Sequence, residues 1–76
     1  MKNNIFNQIN PNKLLFSKWT AIEPMNREKH FIVTKVIKND LNEISTCIIE
    51  AVLTHRECEI NWIDLQNSNK WRYGWQ

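Results

Sequence analysis

The stretch Ile44-Ser45-Thr46-Cys47-Ile48-Ile49-Glu50-Ala51-Val52-Leu53 decides how the rest of the chain is read. Two periodicities compete in it. Leu41, Ile44, Ile48, Ala51 and Val52 fit a helical stripe, and Asp40 with Glu43 resembles a capping box ahead of it. Against the helix stand six β-branched residues, Ile44, Thr46, Ile48, Ile49, Val52 and Thr54. Their stiff side chains suit a pleated strand better than a helical turn. A strand over 44–53 is expected, which makes the chain all-β.

The residues that follow support this reading. Arg56, Cys58, Ile60 and Trp62 alternate with Glu57, Glu59 and Asn61, the pattern of a half-buried strand. With Thr54-His55 as a two-residue turn, Ile49 faces Ile60, Ala51 faces Cys58 and Cys47 faces Trp62. One face of the hairpin is then apolar apart from the Leu53–Arg56 end pair. The register sets Glu50 against Glu59, a like-charge pair that Lys35 or Lys38 on the next strand would relieve. Cys47 and Cys58 fall on one face but two pairs apart, too far for a disulfide without backbone movement. Two buried free thiols are expected.

Working back toward the N-terminus, His30–Lys38 is an almost unbroken run of β-formers, expected as a central strand. Asn39-Asp40-Leu41-Asn42 is a turn by composition. Glu23-Pro24-Met25-Asn26-Arg27-Glu28 is expected as a loop because proline interrupts a ladder. Leu14–Ile22 is expected as the first strand, with Leu15, Ser17, Trp19 and Ala21 on one face. Residues 1–12 are rich in asparagine and are expected as a partly ordered arm that Ile5, Phe6 and Ile9 pin to a single domain over 13–76.

The C-terminal end holds three of the four tryptophans, with the only tyrosine and glycine. Trp62–Gln66 is expected as one short helical turn capped by Asn61. Trp71, Tyr73 and Trp75 recur at period two, the spacing of one strand face, with Arg72 and Gly74 opposite. The sum is a small antiparallel meander or Tudor-like small barrel of four to five strands, closed by the C-terminal segment.

A chain of 76 residues makes one domain with a modest core. Its net charge of +2 is unevenly spread. Residues 1–22 carry Lys2, Lys13 and Lys18 with no acid; residues 44–66 carry Arg56 against Glu50, Glu57, Glu59 and Asp64; residues 67–76 add Lys70 and Arg72. If the two basic ends meet, they form a basic patch with aromatic rings in it. No apolar run is long enough to span a membrane. The first ten residues lack a continuous hydrophobic region, so no signal peptide is expected. A reduced, cytoplasmic setting follows for the two lone cysteines.

Several motifs carry a resemblance: Asn10-Pro11-Asn12-Lys13-Leu14-Leu15, Ser17-Lys18-Trp19-Thr20-Ala21, Glu28-Lys29-His30-Phe31, Glu50-Ala51-Val52-Leu53-Thr54, and Trp62 with Leu65 followed by Trp71-Arg72-Tyr73-Gly74-Trp75. They resemble a family of small tryptophan-rich proteins of unknown function, seen mainly in cyanobacteria and marine bacteria. The resemblance covers roughly residues 8–76. It implies a compact cytoplasmic protein and brings no activity with it.

No enzyme is expected. Cys47 and Cys58 lie inside strands, where thiols are inert, and neither makes a recognisable pair with His30 or His55. The same four residues lack zinc-site spacing, so no metal or other cofactor is expected. Glu57 and Glu59 share a face near Glu50, the arrangement of a solvated surface. A phosphate loop needs more than the single Gly74. His30 either hydrogen-bonds its neighbouring loop or offers a polar contact to a partner.

The constellation that remains is basic and aromatic. Lys70, Trp71, Arg72 and Trp75, with Lys18 and Trp19, pair cations for phosphates with rings for base stacking. The expected partner is a nucleic acid or ribonucleoprotein, and the alternative is a protein that takes the same rings as anchors. The competing reading is that these rings simply close the core.

Overall fold

A computed structural model describes residues 7–76. Five antiparallel strands form one sheet: β1 (Lys18–Met25), β2 (Glu28–Lys38), β3 (Ile44–Ala51), β4 (Glu57–Ile60) and β5 (Trp71–Tyr73). The sheet order is β4-β3-β2-β1-β5. The first four strands form a meander, and residues 61–70 then carry the chain to the far edge, where β5 pairs with β1. The sheet is open: β4 and β5 are its two edges, and the barrel alternative is not taken.

The deciding stretch is a strand over Ile44–Ala51. It pairs on both sides, with β2 and β4, so its β-branched residues pack within a ladder. The hairpin register differs from the expected one by two residues. Cys47 faces Ile60, Ile49 faces Cys58 and Glu50 faces Glu57. The cause is a longer loop: Val52 to His55 bridge the strands, with the Ala51 N–H donating to Arg56 O and the His55 N–H to Ala51 O. His55 sits at φ 61, a left-handed position that closes the turn. A shift of two keeps every side chain on its expected face. It does place Glu50 opposite Glu57, and the side chain that reaches Glu50 is His55, whose Nδ1 lies 2.9 Å from Glu50 Oε2, where Lys35 or Lys38 was expected. Cys47 and Cys58 are both free and stand one pair apart on the shared face, closer than the expected two.

The first strand begins later than expected. Phe16 adopts φ 66, so the chain from Leu14 does not run straight into the ladder. Leu15 and Phe16 are exposed, while Leu14 folds back as a fully buried plug. The Ser17 hydroxyl donates to Leu14 O at 2.6 Å and accepts from Trp19 Nε1 at 2.8 Å, so the buried indole N–H is satisfied. The expected loop over 23–28 is a two-residue turn. Asn26 and Arg27 both have positive φ, 56 and 63, and Met25 pairs with Glu28. This is the hairpin geometry whose twist matches the strands. Pro24 stays inside β1 because the ladder to β2 is irregular between Thr20 and Met25 and β5 pairs only as far as Ala21.

One face of the sheet carries the core. Trp19, Phe31, Val33, Cys47, Ile49 and Ala51 are buried there, and Leu14 and Leu65 cover them. Leu65 comes from the 3-10 turn Trp62–Gln66, which Asn61 caps by accepting from the Ile63 N–H. The expected short helical turn is therefore present, and Trp62 and Leu65 are its core contacts. A second 3-10 turn, Pro11–Lys13, spans the end of the expected arm and the first residue of the expected domain. Ile9 packs against the core. Asn7 ties the arm to the crossover: its N–H donates to Gln66 O, and its Nδ2 to Leu65 O and Trp71 O. Ile5 and Phe6 lie outside the described residues. No helix among the described residues is long and apolar enough to cross a membrane.

Candidate functional site

The six residues singled out from sequence fall into three places. Trp19 is fully buried on the core face, edge-on to Tyr73 with ring centroids 5.1 Å apart. Its ring meets no solvent. Trp71 is half-buried on the same face, edge-on to Phe31 at 5.3 Å. Lys70 lies beside it at the rim of a cleft. Lys18, Arg72 and Trp75 gather on the opposite, outer face.

Gly74 is what moves Trp75 there. At φ 83 it takes a backbone conformation that turns the chain out of β5. The expected period-two face of Trp71, Tyr73 and Trp75 therefore holds only for the first two rings. Trp75 crosses to the outer face and rests over β1 and β2. Its Nε1 donates to Phe31 O at 3.0 Å, and its ring lies 6.0 Å from His30. Lys18 Nζ sits 5.3 Å from the ring centroid, within cation–π range.

The tail around Trp75 is clamped on both sides. Thr20 is the centre of the clamp: its hydroxyl donates to Gly74 O at 2.6 Å and accepts from the Gln76 N–H at 3.0 Å. His30 Nε2 lies 3.0 Å from Gln76 O, and Gln76 Nε2 donates to Tyr73 O at 3.1 Å. Arg72 Nη1 reaches Gln76 Oε1 at 3.5 Å. Trp75 is nonetheless 44% exposed. The result is an indole fixed in place, partly open to solvent, with Lys18 over its ring and Arg72 on the neighbouring Gln76 side chain.

Sequence reasoning missed Thr20 and Gln76, and left His30 undecided. Their contacts join positions 46 to 56 residues apart in the chain. No local pattern reports such pairs. The one available signal was Gly74, since a glycine before the last ring permits a change of face.

The outer face also has an acidic side. Across the sheet, Lys18 pairs with Ile32, Ile32 with Glu50 and Glu50 with Glu57; farther along, Lys35 pairs with Ile48 and Ile48 with Glu59. Cations stand on β1, β2 and β5, and carboxylates on β3 and β4.

On the core face, a cleft of about 370 Å³ opens where the crossover leaves the sheet uncovered. Phe31 and Ile49 floor it, Cys58 and Ile60 line the β4 side, and Trp71 lines the β5 side. At one end Glu28 is buried, 3% exposed, beneath Arg56. Arg56 Nε lies 3.1 and 3.0 Å from the two Glu28 oxygens, and the Thr54 hydroxyl donates to the carboxylate at 2.5 Å. The Arg56 guanidinium, then the Thr54 hydroxyl, hold the Glu28 carboxyl below its ordinary range against the opposing effect of burial. Burial pushes the Cys47 thiol up to about 11, so it is protonated and poorly nucleophilic at neutral pH. Among the described residues no three His, Cys, Asp or Glu side chains gather as a metal site would require.

The profile of a family described as "Tryptophan-rich protein (DUF2389)" matches residues 17–76. The match starts at Ser17, so the Asn10–Leu15 motif lies outside it. No curated protein and no solved structure matches the chain.

Proposed function

The chain belongs to this tryptophan-rich family of unknown function, and we propose that it is a non-enzymatic module binding single-stranded nucleic acid, free or within a ribonucleoprotein. The observation that carries the reading is the clamped, partly exposed Trp75 ring with Lys18 over it and Arg72 on the side chain of the next residue, Gln76. A ring held before binding loses little freedom when a base stacks on it. Such stacking contributes roughly 1–3 kcal/mol per base. Lys18, now over the ring, and Arg72, now on Gln76, supply the phosphate contacts. Of the six residues expected from sequence, Lys18, Arg72 and Trp75 form this site; Lys70 and Trp71 flank the cleft on the other face, and Trp19 supports β1 from beneath. A cytoplasmic, reducing setting belongs to the same proposal and accords with two free thiols.

The test is fluorescence anisotropy of a labelled single-stranded oligonucleotide at several salt concentrations. Two phosphate contacts give a slope of log affinity on log salt of about −1.4. Trp75→Ala is expected to weaken binding by about tenfold or more, from the loss of one stacked base. Equal affinity of Trp75→Ala and the parent protein would sink the reading. So would an absence of binding at low salt.

A second reading is a protein partner that takes Trp75 as an anchor. Half-buried Ile32 and Ile48 favour it, because they continue the outer face as apolar surface that phosphates do not use. Binding by that route would show little dependence on salt.

A further inference from the structure

The two edges of the open sheet are finished differently. At β5, the Ile22 N–H donates to Lys70 O and the Gly74 N–H to Lys18 O, so alternation turns the backbones of Trp71 and Tyr73 outward. Those outward groups are largely taken. The Trp71 N–H donates to Asn67 O, Trp71 O accepts from Asn7, and Tyr73 O accepts from Gln76. At β4, the Ala51 N–H bonds Arg56 O, so the register turns Cys58 and Ile60 toward β3 and leaves the backbones of Glu57 and Glu59 facing outward. Among the described residues no hydrogen bond takes those groups.

We propose that the β4 edge is a docking site for an extended partner segment in which basic and apolar residues alternate. A strand added there continues the ladder through the Glu57 and Glu59 backbones, the usual mode of strand addition to an exposed edge. Side chains successive along it fall on opposite faces. On the outer face they meet the carboxylates of Glu57 and Glu59, both exposed, with Glu50 behind them. On the inner face they continue the row of Cys58 and Ile60 and cover the cleft that Trp71 walls on its far side. Cations on the first face and apolar groups on the second match what the edge presents.

The same charges exclude the simplest competitor. Two copies pairing β4 against β4 would set the Glu57 and Glu59 carboxylates of each against those of the other, and like charges opposite one another destabilise a ladder. Pairing β4 with β5 of another copy would require Asn7 and Gln76 to leave their positions. The edge therefore rejects its own chain and suits a different, basic one. The site lies on the opposite edge from the Trp75 platform and does not rest on the reading of that platform.

The test is amide hydrogen exchange by NMR on the full chain, with acetyl-Val-Lys-Val-Lys-Val-amide as probe and the Glu-for-Lys peptide as control. In the free protein the Glu57 and Glu59 amides are expected to exchange quickly. Near saturation with the lysine peptide both should slow by about tenfold or more, while the glutamate peptide leaves them unchanged. The Glu57→Lys/Glu59→Lys double variant should reverse the preference between the two peptides. Amides already slow in the free monomer would overturn the proposal, as would equal effects of both peptides or no effect of either. Sedimentation of the free protein provides a further check: self-association that protects the β4 amides would assign the edge to a second copy and overturn the proposal.

Discussion

Trp19 and Trp75 sit on opposite faces of the same strand pair and show what a tryptophan does in a chain of this size. Trp19 is wholly enclosed, with its N–H on Ser17 and its ring against Tyr73. Trp75 lies over the outer face and is held by its N–H on Phe31 O and by neighbours that leave part of the ring open. Each indole N–H has a partner, as a confined indole requires. The difference is in what removal would cost. The first ring is a large share of the apolar area that a 76-residue domain can bury; the second loses one hydrogen bond and a cation–π contact on removal, while the Thr20 and His30 contacts to Gly74 and Gln76 that hold the tail do not involve the ring.

The comparison is broken most severely at Trp19. Trp19→Ala is expected to cost about 3–5 kcal/mol, comparable to the whole stability of a domain this small. Far-UV circular dichroism with urea titration should find it largely unfolded. Ser17→Ala is the next largest, because it leaves the buried indole N–H and Leu14 O without the hydroxyl; a loss of about 1–3 kcal/mol is expected in the same titration. Gly74→Ala should cost roughly 1 kcal/mol from left-handed strain alone, since nothing lies within 4 Å of the added carbon. Trp75→Ala should change stability by less than either while weakening oligonucleotide binding. A large loss of stability on Trp75→Ala would erase the contrast between the two rings.

A further prediction concerns acid. Glu28 has its carboxyl held low by Arg56 and Thr54. A carboxylate depressed in the folded state adds stability that is complete above its unfolded value, about 4.3, and is lost as pH falls through the folded value. The melting temperature should therefore decline as pH drops below about 4.3. Glu28→Gln should flatten that part of the profile. An identical pH profile for the two proteins would show that the Arg56–Glu28 pair contributes nothing to acid sensitivity.

The sheet was legible where one face of the chain declares itself. Cys58 and Ile60 alternate with Glu57 and Glu59 in sequence, and their side chains lie on the core face as that alternation assigns, while the unbroken run of β-formers from His30 to Lys38 is a central strand. The short turn capped by Asn61 was legible for a similar reason, because a cap is a local hydrogen bond between residues two apart. Strand ends and registers were less so. Phe16 at positive φ and the four-residue loop after Ala51 have no strong signature in residue type, since the residues there are Phe, Val, Leu, Thr and His. A loop two residues longer moves the register by two without disturbing which side chains are apolar. Alternation alone is therefore blind to it.

The candidate site was half legible. Its residue types, cations among aromatic rings, stood out in the sequence, but their grouping did not. Lys18 and Trp75 are 57 positions apart and meet only because β5 returns to pair with β1. Lys70 and Trp71, neighbours of Arg72 in sequence, went to the cleft side.

What the sequence determined by itself is the class of structure: β-branched residues and period-two alternation leave a strand as the state that buries the apolar side chains and satisfies the backbone. It also determined that aromatic rings would supply much of the core of so short a chain. The tertiary structure alone decided which ring is core and which is surface, because burial depends on what covers a side chain after the crossover has been made. It decided as well that the sheet stays open, with one edge capped by Asn7 and Gln76 and the other uncapped among the described residues. The Asn7 cap joins residues 64 positions apart, a distance along the chain that carries no local signal.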